Sequence, residues 1–458
     1  MSYGCLVSVV NLAKYDVQIS VSLVDDNNWE KSLSPRQLNG ATVEGNSSKE
    51  VHVEVVNGQA SAKFNVTFTI PNVGTVETTV DALDVINGGK RQGYLCAGGT
   101  AVDKYWVIEA QYDKQSWDNN GYGWRHLSVI ILPKVDPRNW MARLPDDYTI
   151  NQLTVPGSHD TGTAAITGRA DNSVARARIC QGLSISQQLN IGIRFLDIRV
   201  NKSRNFEIMH EGTPTATWFW DDCLIPVMTF LNENPNETVL LCVKDEHGST
   251  NEFHDDILQM LAAAPYQYIK SRVCTSHVPP KLGDLRGKLV LLRRYWIDPD
   301  HNKHKVDDAD SGFGLTDFKD ANGGLYAWPD NSDTFAEVGD GNVVLQQPGN
   351  TPCVIQDWYN LGTRMQASKV GLIIKYLDAA KNSLPHAWFI NFASCTALGH
   401  VWDDPRSFAV GEDGINAALI TYLVTRGIGR YGIVPMDFVG NAPEEVLINL
   451  LINSNPLQ

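Results

Sequence analysis

The chain has 458 residues, 52 acidic against 38 basic side chains, and a formal charge of −14; 43% of it is hydrophobic and 20% charged. That length allows two domains with cores of their own, and the composition is that of a globular protein. The acidic balance disfavours nucleic-acid binding and gives no general pull toward an anionic membrane, so any membrane contact has to be local and partly apolar. No apolar run is long enough to span a bilayer.

Met1–Val10 lacks the basic start, long apolar stretch and small-residue cleavage site of a signal peptide, and reads as a first strand. A cytoplasmic protein, or one exported without a leader, is the expectation. Eight cysteines (Cys5, Cys96, Cys180, Cys223, Cys242, Cys274, Cys353 and Cys395) show no CxxC pair and no zinc-cluster spacing, so reduced core thiols are expected.

Residues 1 to about 132 read as all-β. Ala62–Ile70 alternates, with Ala62, Phe64, Val66, Phe68 and Ile70 on one face, and Val51–Val55 does the same. Tyr15–Val24, Val73–Val80, Tyr105–Gln111 and His126–Leu132 are further strands, separated by turn chemistry at Asn39-Gly40, Asn57-Gly58, Pro71-Asn72, Asn87-Gly-Gly89 and Asn119-Asn-Gly121. Short strands at this spacing predict an all-β sandwich over 1–138, ending in the linker Pro133–Arg138.

From 139 to 458, strand and helix patterns alternate. Strands are predicted at Ile193–Val200, Thr238–Lys244, Leu289–Arg294, Trp388–Ala393 and Gly429–Val434. Helices are predicted at Ser186–Asn190, Ile225–Asn234, Phe253–Ala264, Lys369–Ala379 and Asp413–Arg426. This period and length predict an α/β fold, a (β/α) TIM-like barrel, with chemistry at the strand ends.

Two stretches concentrate that chemistry. Val155-Pro-Gly-Ser-His-Asp-Thr-Gly162 places His159 and Asp160 after a sharp turn, and Ile193-Arg-Phe-Leu-Asp-Ile-Arg199 is followed by Ile208-Met-His-Glu-Gly212. Histidine moves protons near neutral pH and arginine neutralises phosphoryl oxygens, so the set suits phosphate chemistry. Asp197 and Arg199, two apart on a strand, share a face. Ser158, His159 and Asp160 are consecutive and point in different directions, which rules out a serine-hydrolase triad.

In order and spacing, these motifs resemble the catalytic domain of bacterial-type phosphatidylinositol-specific phospholipase C, from about Trp140 to the chain end. The resemblance implies His159 as general base, oriented by Asp437 in Val434-Pro-Met-Asp-Phe438, and Arg199 on the phosphate. It implies His210 as general acid, with Asp160 near Arg199 and that histidine. The family places its acid histidine directly before a glycine, whereas this chain reads His210-Glu211-Gly212. Either a one-residue bulge keeps His210 in place or Glu211 takes the acid position. Metal-dependent relatives carry a carboxylate where Arg199 stands, so the resemblance implies catalysis without metal or other cofactor.

Asp197, Lys244, Arg294, Trp328, Asp357 and Tyr359 match or suit a substrate-binding pocket for the inositol ring, with charged groups reading hydroxyls and an aromatic covering the C–H face. Trp402 matches an interfacial tryptophan on a rim loop, and Trp218-Phe-Trp220 and the basic Arg169, Arg176 and Arg178 are further rim candidates. The expected activity is phosphatidylinositol cleavage to diacylglycerol and inositol 1,2-cyclic phosphate at a phosphatidylinositol-containing membrane surface. Other readings are another lipid head group such as a glycosylated phosphatidylinositol anchor, or a non-catalytic inositol-lipid-binding protein. A metal phosphodiesterase built on His210, Asp245, Glu246 and His247 is the third.

Overall fold

The structure is a computed structural model describing residues 3–113, 125–169, 176–246, 252–276, 278–295, 313–314, 318–319, 325–326, 345–346, 352–361, 366–383, 385–397, 404–411, 413–440 and 444–457. It divides into two compact units. One comprises Met1–Val135 with Gly411–Asp413 and Ala417–Ile428; the other comprises Asp136–Val410, Gly414–Asn416 and Gly429–Gln458. The first-unit boundary thus lies three residues before the expected 138, and that unit also takes two C-terminal segments that spacing had assigned to the barrel.

The first unit holds β1 (Tyr3–Asn11), β2 (Val17–Leu23), β3 (Thr42–Val43), β4 (Ser47–Val55), β5 (Lys63–Ile70), β6 (Gly74–Asp81), β7 (Gln92–Tyr94), β8 (Ala97–Gly98), β9 (Tyr105–Asp113) and β10 (Arg125–Pro133). They form two five-stranded sheets, ordered β4-β1-β10-β9-β7 and β3-β2-β5-β6-β8. Both sheets feed one apolar cluster that includes Val7, Val9, Phe64, Val66, Phe68, Leu127 and Val129. In β5 the predicted alternation is observed, with Phe64, Val66, Phe68 and Ile70 inward. The interior of β10 is buried on both faces. Its run Val129-Ile-Ile-Leu132 is continuously apolar, the pattern of a strand covered on both sides.

The second unit holds β11 (Val155–Ser158), β12 (Phe195–Asn201), β13 (Glu207–His210), β14 (Thr213–Trp218), β15 (Val239–Asp245), β16 (Val273–Cys274) and β17 (Leu289–Arg294). Short pieces β18 (Phe313–Gly314), β19 (Phe318–Lys319), β20 (Leu325–Tyr326) and β21 (Leu345–Gln346) precede β22 (Pro352–Gln356), β23 (Trp388–Asn391) and β24 (Ile433–Met436). The central order is β17-β15-β12-β11-β24-β23-β22, every neighbour parallel. The last strand, β24, therefore returns to pair with the first, β11, as it does when successive βα units curl into a barrel. The curled parallel sheet is of the TIM-like barrel type.

The last strand begins four residues later than periodicity suggests. Gly432 takes φ +73, and a Cβ there would lie 2.7 Å from the Phe389 carbonyl oxygen, so the chain turns at this glycine before extending. A fully buried ion pair anchors the opposite end of β12. Arg194 Nε donates to Glu237 Oε2 at 2.7 Å, while the remaining guanidinium nitrogens donate to the carbonyls of Leu189, Ile193, Pro137 and Arg138.

Candidate active site

Three strand ends meet at the site. His159 follows β11, Arg199 lies near the end of β12, and Asp437 follows β24. Because β11 sits between β12 and β24, residues far apart in the chain converge. His159 Nδ1 is 2.8 Å from Asp437 Oδ1, and its Nε2 is 2.9 Å from Arg199 Nη2 and 3.0 Å from Asp160 Oδ2.

Asp160 is the hub. Its Oδ1 lies 2.8 Å from Arg199 Nε, and its Oδ2 lies 3.2 Å from His210 Nε2 as well as near His159. Asp197 sits beneath: its Oδ2 accepts the Asp160 backbone N–H at 3.2 Å and lies 3.3 Å from Arg199 Nη2. Asp197 is fully buried and does not line the open cleft, so it supports Arg199 instead of facing the ring pocket as expected.

The electrostatics follow from this packing. Burial opposes charging His159, but the carboxylates of Asp160 and Asp437 outweigh it and raise its pKa well above the ordinary imidazole range. Burial likewise disfavours the Asp160 anion, yet Arg199, His210 and His159 hold that carboxyl well below its usual value. Burial also disfavours the Arg199 cation, and Asp160 and Asp197 more than restore it.

His210 is carried by a hairpin. β13 and β14 pair with His210 opposite Thr213, leaving Glu211-Gly212 as a two-residue loop. Both loop residues have positive φ, +45 and +74, as a type I′ turn requires. The extra glutamate before the glycine is thus a turn residue. No bulge occurs at 210–211; the register shift lies between Glu207 and Met209. Glu211 is exposed, with its N–H donating to Glu246 Oε1 at 3.0 Å and its carboxylate 3.8 Å from Arg178 Nε. His210 Nδ1 is 2.8 Å from the Arg178 carbonyl, which leaves Nε2 directed at Asp160.

The cleft over these groups, about 570 Å³ including the solvent space at its mouth, is lined by His159, Arg199, His210, Lys244, Arg294 and Tyr359 among others. Lys244 Nζ pairs with Glu246 Oε2 at 3.1 Å, and Arg294 Nη2 donates to Asp357 Oδ2 at 2.8 Å, placing Asp357 behind the arginine. A larger hollow of about 880 Å³ on the same measure borders Thr161, Ala165, Ser184 and Asp222, but it contains neither histidine nor arginine. Size and chemistry part company here, and the smaller cleft holds the titratable groups.

The remaining expectations divide. Trp328, Trp402 and His247 lie outside the described residues. In Trp218-Phe-Trp220 only Trp218 reaches solvent, at 39%, whereas Phe219 and Trp220 are core. Arg178 is half-buried and donates to the Thr213 hydroxyl, so it buttresses the His210 hairpin, while Arg176 is exposed. All eight cysteines are free.

Sequence reasoning missed three contributors. Gln181, fully buried, donates to the His159 and Met436 carbonyls at 2.7 and 2.8 Å and so ties β11 to β24. Phe392 sets its ring edge-on to His159 at 5.9 Å. Cys180 Sγ is 3.9 Å from both Asp160 Oδ2 and His210 Nδ1. Glu246, weighed only as a metal ligand, was legible as a cleft residue by its two-residue spacing from Lys244. Gln181 and Cys180 carry no local pattern.

Three donor trios lie close enough to bind a cation: His159–Cys180–Asp437, Asp160–Cys180–His210 and His159–Asp160–Asp197. They fit one poorly. Asp437 and the Arg178 carbonyl occupy the Nδ1 positions of the two histidines, and the Arg199 guanidinium stands against both Asp160 and Asp197.

Residues 171–295 match the family model of the phosphatidylinositol-specific phospholipase C X domain. The chain is 28% identical over 338 residues to a 1-phosphatidylinositol phosphodiesterase of Listeria monocytogenes, covering 73% of this chain and 90% of that protein. It is 24% identical over 324 residues to the protein of the same name from Staphylococcus aureus, covering 69% and 94%. A solved structure of the S. aureus phosphatidylinositol-specific phospholipase C superposes with a TM-score of 0.55 at 21% identity, over 70% of this chain and 98% of that one, a likeness of fold. By sequence match over 171–295 and by barrel architecture, this chain is similar to the phosphatidylinositol-specific phospholipase C X-domain proteins, bacterial members among them.

Proposed function

We propose that the chain is a phospholipase C that cleaves phosphatidylinositol without a metal ion. The observation that carries this reading is the Asp160 hub: two imidazoles and one guanidinium on a single carboxylate, opening onto a cleft ringed by Lys244, Arg294 and Tyr359. A base, an acid and a fixed cation are what an in-line attack of a neighbouring hydroxyl on a phosphodiester needs.

In this reading Asp437 accepts the Nδ1–H of His159 and leaves Nε2 to take the proton of the inositol 2-hydroxyl. The hydroxyl oxygen bonds to phosphorus while the bond from phosphorus to the diacylglycerol oxygen breaks. His210 gives that oxygen its proton. Arg199 neutralises the phosphorane oxygens, the work a cation does elsewhere, and its contact with both Asp160 and Asp197 supports metal independence. Inositol 1,2-cyclic phosphate and diacylglycerol are the products. The first unit, whose two sheets share one apolar cluster, is read as an accessory β-sandwich.

Phosphorus NMR of the protein with phosphatidylinositol micelles and excess chelator tests this directly. A cyclic phosphodiester resonance that persists with chelator and disappears in His159→Ala and His210→Ala supports it. Loss of turnover on chelation would overturn the metal-free mechanism, and no turnover at all would overturn the substrate assignment.

A further inference from the structure

One buried cation takes no part in the chemistry above. Lys369, in the helix Gln366–Asn382, is fully buried in the second unit, where an uncompensated ammonium is costly. Its three N–H donors meet three acceptors. Nζ donates to Gln356 Oε1 at 2.9 Å and to the carbonyls of Trp358 and Phe392 at 2.6 Å each.

Those acceptors bracket the ring-facing wall of the cleft. Gln356 and Trp358 flank Asp357, which pairs with Arg294, and Tyr359 follows on the cleft lining. Phe392 stands edge-on to His159 and 5.8 Å from the Arg294 guanidinium carbon. Gln356 completes the clamp: its Nε2 donates to Asn391 Oδ1 and the Phe392 carbonyl at 2.8 Å each, and its Oε1 also accepts the Trp358 N–H at 2.7 Å. Asn391 in turn donates to the Ile373 carbonyl, one turn along the same helix.

We propose that Lys369 is a positioning residue for head-group binding: it locks the ends of β22 and β23 together so that Asp357 and Phe392, packed behind, hold Arg294 and Tyr359 in register for the inositol ring. This rests on the phosphoinositide reading above. A fully satisfied polar network in the interior rigidifies its surroundings, whereas a half-satisfied one loosens them. The amine has a built-in reporter. Burial lowers its pKa to about 8, against the opposing pull of Cys395, Asp357 and Asp437, which face it from the loop after β23 and the ends of β22 and β24. Above that pH the neutral amine keeps two N–H donors and can hold only two of its three contacts.

The test is steady-state kinetics of the full chain on phosphatidylinositol micelles from pH 6 to 10, for wild type and Lys369→Met. Expected are a wild-type KM that rises above pH about 8 and a Lys369→Met KM raised about tenfold with kcat within about threefold, its alkaline KM limb gone. A variant that merely melts at lower temperature, with KM and its pH profile unchanged, overturns the proposal. Should Lys369→Met fail to fold, the wild-type profile decides: a KM flat across pH 8–9 overturns it. If the wild type does not cleave phosphatidylinositol, the functional reading fails separately. Hydrogen exchange of wild type at pH 7 and pH 9.5, corrected for intrinsic rates, then decides the clamp: lost protection confined to 356–361 and 391–396 upholds it, and unchanged protection overturns it.

Discussion

His159 Nδ1 and Asp437 Oδ1, 278 positions apart in the chain, lie 2.8 Å from each other because β24 returns to pair with β11. The contact fixes which imidazole nitrogen can act. A proton held on Nδ1 by the buried carboxylate leaves Nε2 as the basic atom facing Arg199 and Asp160. Asp437→Asn should therefore lower kcat/KM by about 10²–10⁴-fold with little change in KM. Steady-state assays with phosphatidylinositol check this, and an unaltered kcat would remove Asp437 from the reaction.

The acid limb of the pH–rate profile follows from the carboxylates around His159. Its pKa is held well above the ordinary 6.5 despite burial, so the base is deprotonated only above that value and the acid limb of kcat/KM should lie there too. Asp160→Asn removes one of the two raising charges and should move the limb toward lower pH while reducing the rate. A limb that stays in place would mean that another group sets it.

The same shifts act on stability, with opposite signs. A raised folded-state pKa means that His159 contributes stability fully present below pH about 6.5 and lost as pH rises through the folded value. Asp160, whose carboxyl is depressed, contributes stability present above its ordinary pKa near 3.8 and lost as pH falls further. Melting temperature measured against pH should lose its alkaline decline in His159→Gln and its acid decline in Asp160→Asn.

Three residues that follow the site's key side chains are strained. Asp160, Glu211 and Phe438 have φ of +42, +45 and +52, a region costly for residues with a Cβ. At Glu211 the turn alone demands it, and the side chain is at the surface. Glu211→Gly should stabilise the protein by about 0.5–1 kcal/mol and leave turnover within a few-fold, read by denaturant melts and initial rates. A large loss of activity would instead give the Glu211 carboxylate a chemical role.

Removing one partner of the buried Arg194–Glu237 pair leaves the other charge stranded. Both side chains are inaccessible, and Glu237 Oε1 also accepts the Met141 N–H at 2.8 Å. Arg194→Met should cost about 3–5 kcal/mol, and Arg194→Met with Glu237→Met should recover part of that loss. Chemical denaturation of the full chain measures both, and a double variant worse than the single would show that the carboxylate is held by the backbone donors instead.

Much of this protein was readable locally. The two-residue period put Asp197 and Arg199 on one face, where they now lie 3.3 Å apart, and the alternation of Phe64, Val66, Phe68 and Ile70 marked a half-buried strand. The spacing of apolar runs indicated strand–helix alternation, and the paired histidines with Arg199 indicated phosphate chemistry. Local patterns reach only as far as one strand or one helical turn, and there they suffice.

What required the tertiary structure was every relation that crosses strands. The positive φ of Glu211 is a property of the hairpin that closes around it, so sequence left His210 and Glu211 as rivals, and the turn puts Glu211 at the surface and His210 beside Asp160. Asp197 was expected in the ring pocket and lies beneath Arg199, because a strand's parity sets its face but not its depth. Gln181 and Lys369 looked like ordinary polar residues in a loop and a helix. Their weight comes from the strand ends that barrel order brings to them, and that order is fixed by burial summed over the whole sheet.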